Sequence, residues 1–184
     1  IRDRNLSRGL GDVYKRLPLN YLVPSRNQCA SCHATNHTTG AIQPIGLKAR
    51  HLNRDAAGHT ENQLSRMVQR GVLTGVPEQT PEGANWSTPD LDAKARAYLD
   101  INCAHCHNPA GPADTSGLRL DIAAQDPADL GQCKPPIAAG RGSGGHLYSI
   151  VPGESTASIL SFRVASTDPG AMMPELGRSV VHTQ

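Results

Sequence analysis

The sequence predicts a mainly α-helical chain with extensive irregular loops, gathered into two small lobes. Three observations predict it. Apolar residues recur at helical spacing in a few short runs, each preceded by a capping residue. Between those runs, 18 Gly and 14 Pro in 184 residues break regular structure, and few segments alternate as strands do. The length exceeds the roughly 100–150 residues most common for one domain, and no repeat of fixed period appears.

Residues 1–28 form a mixed lead anchored by Val13, Tyr14, Leu17, Leu19, Tyr21 and Leu22, which runs through the turn-prone Pro24-Ser25-Arg26-Asn27 into Cys29. Further on, Thr60-Glu61-Asn62-Gln63 has the form of a capping box. Leu64, Met67 and Val68 then recur at helical spacing before Gly71, a stop signal. Pro, Gly, Thr and Glu crowd residues 74–89, so the first lobe is expected over 1–80, a linker docked by Trp86 over 81–89, and the second lobe over 90–184. Thr88 or Asp90 caps the strongest helical run, with Leu91, Ala95, Tyr98 and Leu99 on one side, and this pattern continues into Cys103. Beyond it the chain is rich in loops. One short helix is expected over 155–164, and Gly140-Arg141-Gly142-Ser143-Gly144-Gly145 is the most flexible piece, a loop suited to wrapping close to a cofactor or another backbone.

Lys and Arg number 18 against 16 Asp and Glu, and no basic tract is present, which argues against a general binder of nucleic acid or anionic membranes. No stretch approaches the ~20 apolar residues of a membrane span. The chain starts at Ile1 without a signal-like apolar run, so it is expected to be a mature or trimmed product. One Phe, one Trp and four Tyr leave two lobes short of large rings, so something else must fill their cores.

Two motifs supply that something. Cys29-Ala30-Ser31-Cys32-His33 and Cys103-Ala104-His105-Cys106-His107 are both C-x-x-C-H, the attachment signature of c-type haem. Two thiols three positions apart can form thioethers to the two vinyl groups on one haem edge, while the adjacent His ligates the iron. Zinc ribbons space such pairs by about 15–20 residues, whereas these stand about seventy apart, and zinc does not require a His after each pair. A thioredoxin-like dithiol would need a βαβ pattern. Each lobe is therefore expected to be cytochrome c-like and built around one covalent haem, two haem c in all. His33 and His107 are the proximal ligands. Cys133, the fifth Cys, is expected to be a buried, inert thiol.

The sixth ligand decides what each iron can do: His or Met closes the site for electron transfer, and an open position admits peroxide or other small molecules. In Met172-Met173-Pro174-Glu175-Leu176-Gly177, Met173 is the candidate for the second haem, because the Pro after it stiffens its approach. His51 is the candidate for the first haem, with enough intervening chain and apolar neighbours, and Met67 is its rival. His37 lies too soon after His33 to reach the far side. His59, His105, His146 and His182 are expected to face solvent.

On these residues the chain resembles a family of bacterial extracytoplasmic dihaem cytochromes c found beside parallel β-helix proteins. The likeness runs through Tyr21-Leu22-Val23-Pro24-Ser25-Arg26-Asn27-Gln28, Pro44-Ile45-Gly46-Leu47-Lys48-Ala49-Arg50-His51-Leu52-Asn53, Asn62-Gln63-Leu64, the second haem motif with Asn108-Pro109, Cys133-Lys134-Pro135-Pro136 and the Met172-Met173 block. The resemblance implies two haems, with His51 and the methionine pair suitably placed to ligate; the sequence departs from the family pattern at Val181-His182-Thr183-Gln184, where such proteins continue into a last helix ending in a Trp-Ile element, so the second lobe as given is expected to lack that helix. The expected function is electron transfer between redox partner proteins in the periplasm or at the cell surface, since c-type haem is attached outside the cytoplasm. Two alternatives are a peroxidase-like enzyme with one open iron and a subunit of a polymeric haem conduit that self-associates or docks on a β-helix partner.

Overall fold

Short polar side chains at helix entrances set much of the regular structure. The structure is a computed structural model that describes residues 23–34, 41–55, 58, 60–178, 180 and 181. The anchors of the lead, His37, His59 and His182 lie outside the described residues. Among the described residues five helices follow in order: α1 (Arg26–His33), α2 (Ala49–Leu52), α3 (Gln63–Gln69), α4 (Leu91–Asn102) and α5 (Ile159–Ala165), with single 3-10 turns at Asp114–Ser116, Gly140–Ser143 and Ser155–Ala157. Among the described residues there is no strand, only isolated bridges such as Ala34 to Ile42 and Gln132 to Ile150. The chain is thus helix and loop, as its sequence predicts.

Asn62 opens α3 by accepting from the N–H groups of Leu64 (3.0 Å) and Ser65 (3.2 Å). The cap is therefore two residues later than Thr60. Gly71 stands just past the end with φ +68°, the left-handed turn that stops the helix. Asp90 opens α4 in the same way, accepting from Asp92 (2.9 Å) and Ala93 (3.2 Å), while Thr88 accepts from Asp90 N–H. The buried side of α4 differs from the expected one: Ala97 and Asp100 are buried, whereas Leu91 is 77% exposed. The cause is a set of ionic partners for Asp100, described below.

Two compact units organise the described residues. One runs from His33 to Gln125; the other combines 23–32 with 126–181. This division differs from a boundary at 81–89, because that stretch is tied into the first of these units. Gly83 N–H donates to Asn53 O (2.8 Å), and Asn53 Nδ2 donates to Thr80 O (2.6 Å) and Pro81 O (3.2 Å). Trp86 is exposed rather than docked. In the 33–125 unit, Leu52, Leu64, Ala97, Ala104 and Leu120 are buried, and Arg96 reaches from α4 to the carbonyls of Asp121 and Ile122.

In the other unit Ile159, Ala171 and Met172 are buried. Arg163 Nε donates to Ala171 O (2.9 Å), and Arg178 donates to the carbonyls of Val164, Arg163 and Ser166. The Gly-rich piece is a packed turn here. Gly144 has φ +60°, and a Cβ there would lie 2.8 Å from the Phe162 ring. No described helix is long and apolar enough to cross a membrane.

Candidate functional site

The first C-x-x-C-H motif ends α1, so Cys29 and Cys32, three positions apart, share one face of a helix that buries none of its residues. His33 is fixed from outside that helix. Its Nδ1 lies 2.8 Å from Gln43 O, and Gln43 N–H returns to His33 O at 3.0 Å. A carbonyl oxygen only accepts, so Nδ1 carries a proton, and in the neutral ring the lone pair falls to Nε2.

The second motif follows α4, whose C-terminal cap is Cys103 itself. The N–H groups of Cys106 (3.1 Å) and His107 (2.9 Å) both turn back to Cys103 O. Gly111 passes so near that a Cβ would lie 2.3 Å from Cys106 O, which no side chain could tolerate. His107 Nδ1 lies 3.0 Å from Ser116 Oγ. That hydroxyl spends its one proton on Ala113 O (2.6 Å) and so must accept from His107. Both motif histidines therefore share one tautomer, proton on Nδ1 and lone pair on Nε2. Burial pushes the Cys103 thiol up to about 11, so it stays neutral.

Asp100 gathers a second constellation around α4. It is 3% exposed, and its Oδ2 accepts from Arg50 and from His51 Nε2 (2.6 Å). Its Oδ1 accepts from Ile122 N–H at 3.0 Å, with Lys48 Nζ at 3.9 Å. Burial alone would raise its pKa. The hydrogen bonds from His51, Arg50 and Ile122 N–H, with the Lys48 charge, outweigh this and hold it below the usual carboxylate range. An ionised carboxylate only accepts, so His51 Nε2 is a donor here.

His105 departs from its expected place in solvent. It is half-buried, and its Nδ1 is shut off from water with no hydrogen-bond partner. Burial, then repulsion from the Lys48 charge and from His33 when that ring is protonated, lower its pKa. His51 and His105 line one cavity of about 160 Å³, whose other walls are mainly Ile45, Leu47, Leu52 and Ile101.

Membership of the two units sorts the expected site residues. His33, His51, Cys103, Cys106 and His107 belong to the 33–125 unit, while Cys29, Cys32, Met172 and Met173 belong to the other. Met172 is buried at 8% exposure, and Met173 is half-buried, its N–H bonded to Arg163 O at 3.0 Å. Met67 is half-buried on α3. His146 is half-buried as well, edge-on to Phe162 with ring centroids 5.8 Å apart. Cys133 is exposed, not buried as expected: its backbone, at φ +51°, is held by a 2.9 Å bond from its N–H to Ile150 O. Among the described residues no group of three or more His, Cys, Asp and Glu side chains stands ready to hold an ion.

Sequence reasoning did not anticipate Gln43, Asp100, Ser116 or His105. One signal existed: Ala97, Asp100 and Ala104 are spaced i, i+3, i+7, which puts a lone carboxylate in a buried stripe. The comparisons add no relative, since no family model matches the chain and neither a curated protein nor a solved structure does.

Proposed function

We propose that the chain is a dihaem c-type cytochrome that passes electrons between extracytoplasmic redox partners. The observation that carries this reading is the shared tautomer of His33 and His107. An iron ligand of this kind must offer an Nε2 lone pair, and it is ordinarily oriented by an Nδ1–H bond to a carbonyl or other acceptor. Each histidine follows a C-x-x-C pair and has such an acceptor, Gln43 O for one and Ser116 Oγ for the other. The small set of buried apolar residues in both units, in a chain with one Phe and one Trp, also supports the reading, since large apolar plates would complete such cores.

In this reading Cys29 and Cys32 hold one haem with His33, and Cys103 and Cys106 hold the other with His107. Met173 is the proposed sixth ligand of the second. The haem supplies a one-electron iron couple, and the protein sets its potential through the axial ligands, their hydrogen bonds and burial. Attachment of c-type haem places the protein in the periplasm or at the cell surface.

Intact mass of the denatured protein tests the reading directly. It should show two haem groups that survive acid-acetone extraction, and extractable haem or zinc in its place would refute the proposal. A finer test is Ser116→Ala, which removes the acceptor from His107 Nδ1–H. A lost hydrogen bond of about 1 kcal/mol corresponds to roughly 40 mV for a one-electron couple, so the potential of one haem should rise by up to that amount. The other haem should not move. Redox titration of the two haems would check both.

A further inference from the structure

The segment that carries the two methionines is tied to α5 by a pair of arginines. Met173 N–H donates to Arg163 O at 3.0 Å, and the same carbonyl accepts from Arg178 Nη2, also at 3.0 Å. Arg178 donates as well to Val164 O (2.7 Å) and to Ser166 O. These carbonyls belong to the end of α5, where a helix leaves its acceptors without partners, and a guanidinium there meets the negative end of the helix dipole. Arg163 ties the segment from the other side. Its Nε donates to Ala171 O at 2.9 Å, while Met172 N–H turns back to Asp168 O at 2.8 Å. The Arg163 guanidinium lies over Gly142 of the Gly-rich piece, where a Cβ would stand 3.3 Å from Cζ, so that glycine leaves it the room to reach. Met172 is buried and packs the unit, whereas Met173 is half-buried with its backbone pinned.

Resting on the dihaem reading and on Met173 as a sixth ligand, we propose that Arg178 and Arg163 are positioning residues that keep the Met173 sulfur on its iron. They act through the backbone of the segment: Arg178 fixes the carbonyl on which Met173 N–H rests, and Arg163 holds the chain two residues earlier. A thioether is a weak, neutral ligand, so its hold on iron depends on how firmly the chain presents it. Loosened, it yields its place to a stronger ligand, and the higher potential that Met confers goes with it.

Imidazole titration of the ferric holoprotein tests this, following the far-red thioether-to-iron band, with haem count checked by intact mass. Arg178→Gln should keep two haems, weaken the band and raise the affinity of one iron for imidazole by about tenfold, the scale set by losing a charged hydrogen-bond donor. Arg178→Lys keeps the cation but not the fork, and should fall between that variant and the parent. A purely structural role would lower the melting temperature and leave band and imidazole affinity unchanged, and that result would overturn the proposal. Should Arg178→Gln fail to mature, Arg178→Lys decides alone, a raised imidazole affinity in favour and the parental affinity against. A parent that carries two covalent haems but shows no far-red band would also overturn the proposal and leave the dihaem reading standing, whereas extractable haem would refute that reading itself.

Discussion

Replacing Asp100 with Ala is expected to destabilise the protein by about 3–5 kcal/mol, the usual cost of removing one partner from a buried ionic group. The carboxylate is 3% exposed, and four donors or cations converge on it. Ala would leave the Arg50 guanidinium, 16% exposed, facing an apolar hole, and would orphan Ile122 N–H. Lys48, at 42% exposure, can turn to water, which favours the lower end of the range. Asp100→Asn should cost less, since its side-chain oxygen can still accept from Ile122. Equilibrium denaturation at several pH values would check both the size and the sign. The folded pKa of Asp100 lies below its unfolded value, so the unfolded chain takes up protons first as pH falls. The stabilisation is therefore complete above the ordinary carboxylate pKa of about 3.9 and fades as pH drops through the depressed folded value. The gap between parent and Asp100→Asn should narrow only in that acid window. A gap that persisted unchanged into strong acid would mean that Asp100 acts by shape rather than charge.

The second large effect is all or none. On the proposed dihaem reading, a protein with Cys103→Ala and Cys106→Ala together should emerge with one covalent haem in place of two, halving the haem absorbance per chain. Its melting temperature should fall as well, because among the described residues of that unit the buried apolar side chains are only Leu52, Leu64, Ala97, Ala104 and Leu120, a small core to hold it once the proposed haem is gone. Cys133→Ala should keep both haems, since this exposed thiol belongs to no C-x-x-C-H motif. Intact mass and a thermal melt of the three proteins would decide it. Two haems remaining after the double substitution would break the link between motif and cofactor.

The local features of the fold were legible because they depend on neighbours in sequence. Asn62 and Asp90 cap from two and three residues away, Gly71 ends its helix from the next turn, and the short helix near 155–164 appears as a 3-10 turn followed by α5. What escaped the sequence reading was long-range. The inward side of α4 is set by Arg50 and His51, about fifty positions earlier, and no periodicity within the helix could show that Asp100 would be worth burying. The same holds for the stretch 81–89, whose Pro and Gly content suggested a linker while its backbone groups went to Asn53. For the site, both motifs could be read at once, but the acceptors that orient their histidines could not. Gln43 acts through its backbone oxygen, which any residue possesses, and Ser116 is one hydroxyl among many. Likewise the inward turn of His105 depends on the approach of residues 45–52, not on its own motif.

The division of the chain also sets an order of events during synthesis. Residues 33–125 are contiguous, so that unit can close as soon as its last residue has emerged. The segment 23–32 cannot complete its own unit until 126–181 has followed, almost the whole length of the chain later. In that interval Cys29 and Cys32 ride on a segment still waiting for its partners, which on the proposed dihaem reading leaves them open to haem attachment. The first motif is thus the one that vectorial emergence keeps longest in an unfinished state.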